Sequence, residues 1–323
     1  MSETIRFQCP PCHLDKETRK SMLRDSIRPW VESEALQDLV TLFGGEYPKN
    51  LELSEKVKWL NGFADIWDYR KKQAQGGERW NLQEDPTVLE NRDAILECVR
   101  QLGLMDIRHP LEEPDYILPL GGARLSNYAR PLTAKEEIDR MELTGKTIVA
   151  LSGKRPINEV ELEFLQEFAP NATTEFDAIS TGMEKCFSLK PEFDEYSHVT
   201  QNPNLSWTRR KYLETYAGNA VFSLAAPSSD ESRRANSRDT FCFFLEQFDI
   251  KEGDKLLLVT SCLYVPFQLL RFMDLAIDHG FYVDCIGMPN DNSKGTSFSL
   301  VTGYCQETKA AINAVHSVFE SVF

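Results

Sequence analysis

"DYILPLGGARLSNYARP", residues 115–131, joins a short apolar run to a glycine pair, and then to two arginines and an asparagine. A brief apolar run bounded by turn signals fits a strand buried on both faces, as in a parallel sheet. The glycine pair allows a tight turn and a close approach of the backbone to a neighbour or a ligand. Four more such runs follow downstream, "KTIVALSG", "NAVFSLAAP", "DKLLLVTS" and "FYVDCIGMP". Helical segments separate most of them: "TAKEEIDRM", "NEVELEFLQEF", "DTFCFFLEQF" and "PFQLLRFMDLAIDHG". Alternation of this kind implies right-handed crossovers. The predicted fold is α/β, a Rossmann-like, mostly parallel sheet with helices on both faces.

Upstream of about residue 115 the pattern is helical. "SEALQDLVTLF" places Leu36, Leu39, Val40 and Phe43 on one face before Gly44-Gly45 stops it. "LSEKVKWLNGFADIWDYRKKQ", with Ser54 as the expected cap, and "DPTVLENRDAILECVRQLGL", stopped by Gly103, repeat the 3.6-residue period. The expected division is a helical region over 1–115, acting as a lid or cap on the sheet, and an α/β domain over 116–323.

The net charge of −14 excludes a nucleic-acid surface, which needs a basic stripe to neutralise phosphates. The N-terminus lacks the apolar core of a secretory signal, and no run reaches the roughly 18 apolar residues of a membrane span. A cytoplasmic protein is expected, away from membranes, with its eight cysteines as thiols. Its oligomeric state is left open.

Open parallel sheets bind ligands at the carboxyl ends of their strands. The loops at those ends carry small and basic residues. The first has Gly121, Gly122, Arg124, Asn127 and Arg130, followed by a capping-box pattern, Thr133 to Glu136. The second has Ser152, Gly153, Lys154 and Arg155 before a second box, Asn158 to Glu161. The third has Ser228, Ser229, Arg233, Arg234, Asn236, Ser237 and Thr240, and the fourth Thr260, Ser261, Tyr264 and Gln268. Helix N-termini attract anions, and arginine adds a fork suited to phosphate or carboxylate. Glycine and serine would serve equally well in plain turns and caps. Four such loops at one sheet edge nevertheless favour a site for a nucleotide-like or other anionic small molecule.

No dinucleotide or P-loop fingerprint is present, so group transfer or hydrolysis is expected rather than redox chemistry. Ser152, Ser261 and Tyr264 are the candidates for chemistry, although no serine has an identifiable base. The alternative is a non-catalytic binding or regulatory module on the same fold.

The order "LPLGGAR", "VALSGKR", "NSRDTFCFF" and "LLVTSCLY" resembles the YdcF-like family, which includes SanA- and ElyC-like envelope proteins. The resemblance spans roughly residues 116–290 and leaves the helical region without a counterpart. It implies a Rossmann-like sheet with its pocket at the carboxyl edge, and nucleotide-like ligands, S-adenosylmethionine among them. Two positions depart from the family pattern: Tyr264 stands where a histidine follows "VTS", and Arg234 where an acidic residue precedes "SxxT". The envelope role is not implied, because no anchor is read here.

"CPPCH", Cys9 to His13, has the form of a haem-attachment motif, but no export signal accompanies it. No second CxxC completes a zinc site, and no metal is expected. Cys262 reads as a buried thiol and His279 as a helix-end residue, while His198 lies in a polar stretch. Trp59, Trp67, Tyr69 and Trp80 read either as helix core or as part of a lid. "WDYRKKQAQGGERW", residues 67–80, is the expected lid, with Gly76-Gly77 as its hinge.

Overall fold

The computed structural model describes residues 3–73, 82–289 and 300–322, which divide into two compact units. The hinge expected at Gly76-Gly77, and Trp80 with it, lies outside the described residues.

The first unit comprises Met1–Arg108, Cys262–Gly280 and Ser297–Phe323. Its described regular structure is helical: α1 (Lys16–Val31), α2 (Glu34–Leu42), α3 (Leu53–Phe63), α4 (Tyr69–Gln73), α5 (Pro86–Glu90) and α6 (Arg92–Gln101). Two helices from later in the chain complete it, α11 (Val265–His279) and α12 (Val301–Val322). The second unit, His109–Ser261 with Phe281–Thr296, holds the sheet. Its elements are β1 (Tyr116–Pro119), α7 (Ser126–Arg140), β2 (Thr147–Gly153), α8 (Glu159–Leu165) and α9 (Glu175–Cys186). They continue with β3 (Phe193–His198), β4 (Trp207–Tyr212), β5 (Ala220–Ala226), α10 (Ser237–Gln247), β6 (Lys255–Ser261) and β7 (Tyr282–Met288).

This division differs from a boundary near 115. α11 and α12 carry apolar residues around most of their circumference, and within the first unit they bury them against α1, α3 and α6. Buried Arg19 of α1 donates to the Ala276 carbonyl of α11 at 2.9 Å, and the Glu84 carboxylate accepts from the first amides of α12, Val301 and Thr302. Of the described aromatic residues read as core or lid, Trp67 and Tyr69 are buried and Trp59 is half-buried. Trp67 is fully buried with Phe43 and Phe63 edge-on to it, and Trp59 stacks on Phe63 at 5.1 Å. The α3 cap is Glu52, which forms a capping box with Glu55, in place of Ser54.

The sheet order is β3-β4-β5-β2-β1-β6-β7. The five strands from β5 to β7 are parallel and are the five apolar runs of the sequence; β3 and β4 run antiparallel at one edge. Alternation sorts their side chains. Ile117, Ile148, Ala150, Val221, Leu257 and Val259 share a core with Ile138 of α7 and Ile179 and Met183 of α9. On the opposite face Tyr116 meets Phe244 of α10 edge-on at 5.8 Å. Following the chain outward from β1, β2 lies to one side and β6 to the other, so the strand order reverses between β1 and β6. That reversal is where an open α/β sheet leaves a crevice outside its carboxyl ends.

Candidate functional site

The β1–α7 connection, Leu120 to Leu125, lies at the carboxyl side of the reversal, and it is fixed by side chains from the first turns of α7. The Asn127 amide accepts from the Gly122 N–H (3.0 Å) and donates to the Gly122 carbonyl (2.8 Å). Arg130, 4% exposed, donates to the carbonyls of Leu120 and Gly121 and to Ser261 Oγ at the end of β6. Both glycines are closely packed. A Cβ on Gly121 would lie 2.4 Å from Glu175 Oε1, and one on Gly122 would lie 3.0 Å from both Ser126 Cβ and Arg130 Nη1.

α7 begins at Ser126, well before the Thr133–Glu136 pattern, so Thr133 is a buried mid-helix residue and no cap. Helical bonding starts ahead of Pro131, with the Ala129 N–H donating to the Leu125 carbonyl, while Asn127 and Arg130 tie this first turn to the loop before it. The N-terminus of α7 carries no side-chain cap and no acidic residue in its first turn. α8, α9 and α10 all open with capping boxes, Asn158/Glu161, Thr174/Asp177 and Asn236/Asp239.

Arg155 turns away from solvent. Its guanidinium grips Glu161 with two bonds, 2.6 and 2.9 Å, and donates to Glu175 at 2.9 Å. Weaker bonds to the Pro156 and Gly122 carbonyls occupy its remaining donors, so all five are engaged. Burial opposes ionisation of Glu161, but the Arg155 fork outweighs it and holds that carboxyl below its ordinary range. At Glu175 burial wins, pushing the carboxyl up against the pull of Arg155 and Arg130. Arg124 adopts a left-handed backbone, φ 55°, and its N–H donates to Glu161 Oε1. Its guanidinium lies over the Phe164 ring at 4.6 Å, where burial lowers its affinity for a proton.

Lys154, at the carboxyl end of β2, is the exception among these basic groups. Its ammonium lies over the Phe176 ring at 4.6 Å, and Arg210 approaches the same ring at 5.0 Å. Burial depresses its pKa, against Asp177 and Glu195 and with help from Arg210. Ser152 Oγ donates to the Leu224 carbonyl, a tie between neighbouring strands, and Gly153 ends β2 within contact distance of Ala235 and the Ala226 carbonyl. Thr260 Oγ1 is buried with no hydrogen-bond partner among the described residues.

The third loop is knitted to itself. Asp239 accepts from the Asn236 and Ser229 amides and pairs with Arg233, Thr240 Oγ1 donates to the Asn236 carbonyl, and Ser237 starts α10. Arg234 is exposed in the same loop. Tyr264 and Gln268 belong to the first unit, at the start of α11. In the second unit, then, Gly121, Gly122, Arg124, Asn127, Arg130, Arg155 and Ser261 form one continuous network. The carboxylates that organise it, Glu161 and Glu175, were not among the sequence candidates; Glu161 is visible only as a capping residue. The unit's histidines are engaged elsewhere, His109 with Glu137 at 3.0 Å and His198 against Trp207.

A family described as "Rv3785 N-terminal domain" matches residues 14–103. The protein "Rv3785" of Mycobacterium tuberculosis is 27% identical to this chain over 97% of its length and 94% of the relative's. "Mb3814" of Mycobacterium bovis matches to the same extent. No solved structure matches. These similarities overturn the YdcF-like resemblance. The helical region for which it offered no counterpart is the part matched by a family, and the alignment to the mycobacterial relatives runs through both units. Strand–glycine and serine–helix junctions of the kind that suggested it arise wherever parallel strands feed helices.

Proposed function

We propose that this is a cytoplasmic protein whose second unit binds a small anionic, nucleotide-like molecule at the carboxyl edge of the parallel strands. The observation that carries the reading is the start of α7. It stands at the reversal of strand order, follows two closely packed glycines, and lacks the capping boxes that open α8, α9 and α10. The Ala123 and Leu125 carbonyls take up the Ser126 and Tyr128 amides, but no side chain caps this end, and the positive end of the helix dipole suits phosphate or carboxylate. Lys154 adds an ammonium with no ion pair among the described residues. Nucleotides meet this description, and so does the carboxylate of S-adenosylmethionine.

Group transfer or hydrolysis on such a molecule is the activity in view. One observation favours a regulatory binding module instead: the hydroxyls of Ser152 and Ser261 are held by Leu224 and Arg130, and neither bonds a histidine among the described residues.

Calorimetric titration with AMP, ADP, S-adenosylmethionine and a sugar phosphate tests the binding. Ser126→Asp places a fixed carboxylate at the start of α7, so it should abolish binding while leaving the melting temperature unchanged or higher. Lys154→Met should weaken binding about tenfold, the scale of one charge-assisted contact. Full affinity in Ser126→Asp would remove the reading. Turnover of a bound compound separates the enzyme from the module.

A further inference from the structure

The outer edge of β3 is the most exposed strand surface of the second unit. Asp194, Glu195, Tyr196, Ser197 and His198 are all exposed, Tyr196 by 65%, and Val199 just beyond by 79%. No strand pairs with that edge among the described residues. Exposed edges are templates for pairing, and proteins usually blunt them with lysine, proline or a bulge. β3 has no lysine and no proline, and its register with β4 runs without a break from Phe193↔Tyr212 to His198↔Trp207.

Charge does not protect this edge either. The chain carries −14, but the acids of β3, Asp194 and Glu195, stand opposite Lys211 and Arg210 of β4, and Arg209 lies opposite Tyr196. The hairpin is therefore a locally neutralised surface on an acidic protein.

The backbone selects a register. The Leu213 N–H donates to the Glu192 carbonyl, so in this ladder Glu192, Asp194, Tyr196 and His198 turn their backbone groups toward β4. Phe193, Glu195, Ser197 and Val199 turn theirs outward. A second copy pairing antiparallel must then match outward residues with outward residues. Centring the two-fold axis on Tyr196 satisfies this, with Glu195 against Ser197 and Phe193 against Val199. The intervening close pairs become Tyr196 against Tyr196 and Asp194 against His198. Centring on Glu195 would set two carboxylates opposite each other, which is unfavourable. Centring on Ser197 would oppose Glu195 to Val199 and leave Phe193 unpaired.

We infer that two copies of this chain associate through β3, joining their sheets across a two-fold axis at Tyr196. Sedimentation or light scattering of the full chain at 10–200 μM should show a species of twice the 36.9 kDa chain mass. Ser197→Pro removes an outward amide while keeping the backbone bonds of the β3–β4 ladder, although it loses the Thr208 bond to the Ser197 hydroxyl, and should give a monomer, as should Tyr196→Lys, which sets like charges on the axis. Tyr196→Cys should form an intermolecular disulfide on mild oxidation, since close antiparallel pairs match disulfide spacing; Ser197→Cys and the unaltered chain should not. A monomeric wild-type protein at 200 μM overturns the inference. So does a dimer that survives Tyr196→Lys, or cross-linking through Ser197→Cys in place of Tyr196→Cys. If Ser197→Pro fails to fold, the Tyr196 variants decide.

Discussion

Arg155 shows how a residue's type can be legible while its partner is not. A basic residue after a strand in a glycine-containing loop suggests an anion-binding fork, yet this fork closes on the chain's own Glu161 and Glu175. Glu161 is fully buried, and removing its partner would leave a carboxylate in low dielectric. Arg155→Ala should therefore lower unfolding free energy by about 3–5 kcal/mol, read as a fall in the urea midpoint. Arg155→Lys should recover only part of this, because one ammonium cannot replace a two-pronged grip. A variant as stable as the wild type, with weaker ligand affinity, would instead return Arg155 to the ligand. Arg130 is similar: its bond to Ser261 depends on β6 lying beside β1, a neighbour 131 positions away in the chain.

At the scale of elements, α7 and α9 are matched by a pair of residues that reads as a contradiction in one dimension. Pro131 sits inside α7 and cannot donate to the Asn127 carbonyl, leaving a helix acceptor without its usual partner. Gly182 of α9 faces that carbonyl, and a Cβ there would come within 2.0 Å of the oxygen. The missing helix bond and the missing side chain coincide, and the two helices approach closely because of both. Gly182→Ala gains helix propensity but forces the helices apart, so it should destabilise by about 1–3 kcal/mol, measured by thermal unfolding. A rise in melting temperature would show that the contact gives way easily. β3 and β4 are the elements least visible beforehand. "FDEYSH" and "WTRRKY" are polar enough to read as loop; their pairing rests on the backbone ladder, on the anchoring of β4 to β5 and on the Arg210–Glu195 pair.

For the whole molecule, the division into units does not follow chain order. The first unit draws α11 and α12 from the far end of the sequence, and no helix among the described residues is long and apolar enough to cross a membrane. The apolar faces of those two helices are covered within their unit by α1, α3 and α6. Removing residues 1–108 should thus expose them and give aggregated or partly folded protein rather than a clean α/β domain. A soluble fragment of residues 109–323 with a single cooperative melt would contradict this.

The five buried strands are legible in the chain alone, because a strand covered on both faces must be apolar throughout and its turns must be small. The helical character of the N-terminal region is legible too, since its period of apolar residues needs no tertiary partner to be seen. α1 escaped that reading because its apolar residues are sparse, and buried Arg19 takes part of its inner face. The strand order, the reversal between β1 and β6, and which basic groups keep their charge available emerge only in the folded chain. Those depend on which distant carboxylates and carbonyls lie alongside, and hydrogen bonds between remote segments leave no periodic mark in a chain. The glycine pair after β1 was legible as a close approach; that Glu175, Ser126 and Arg130 fill the space its side chains would take was not.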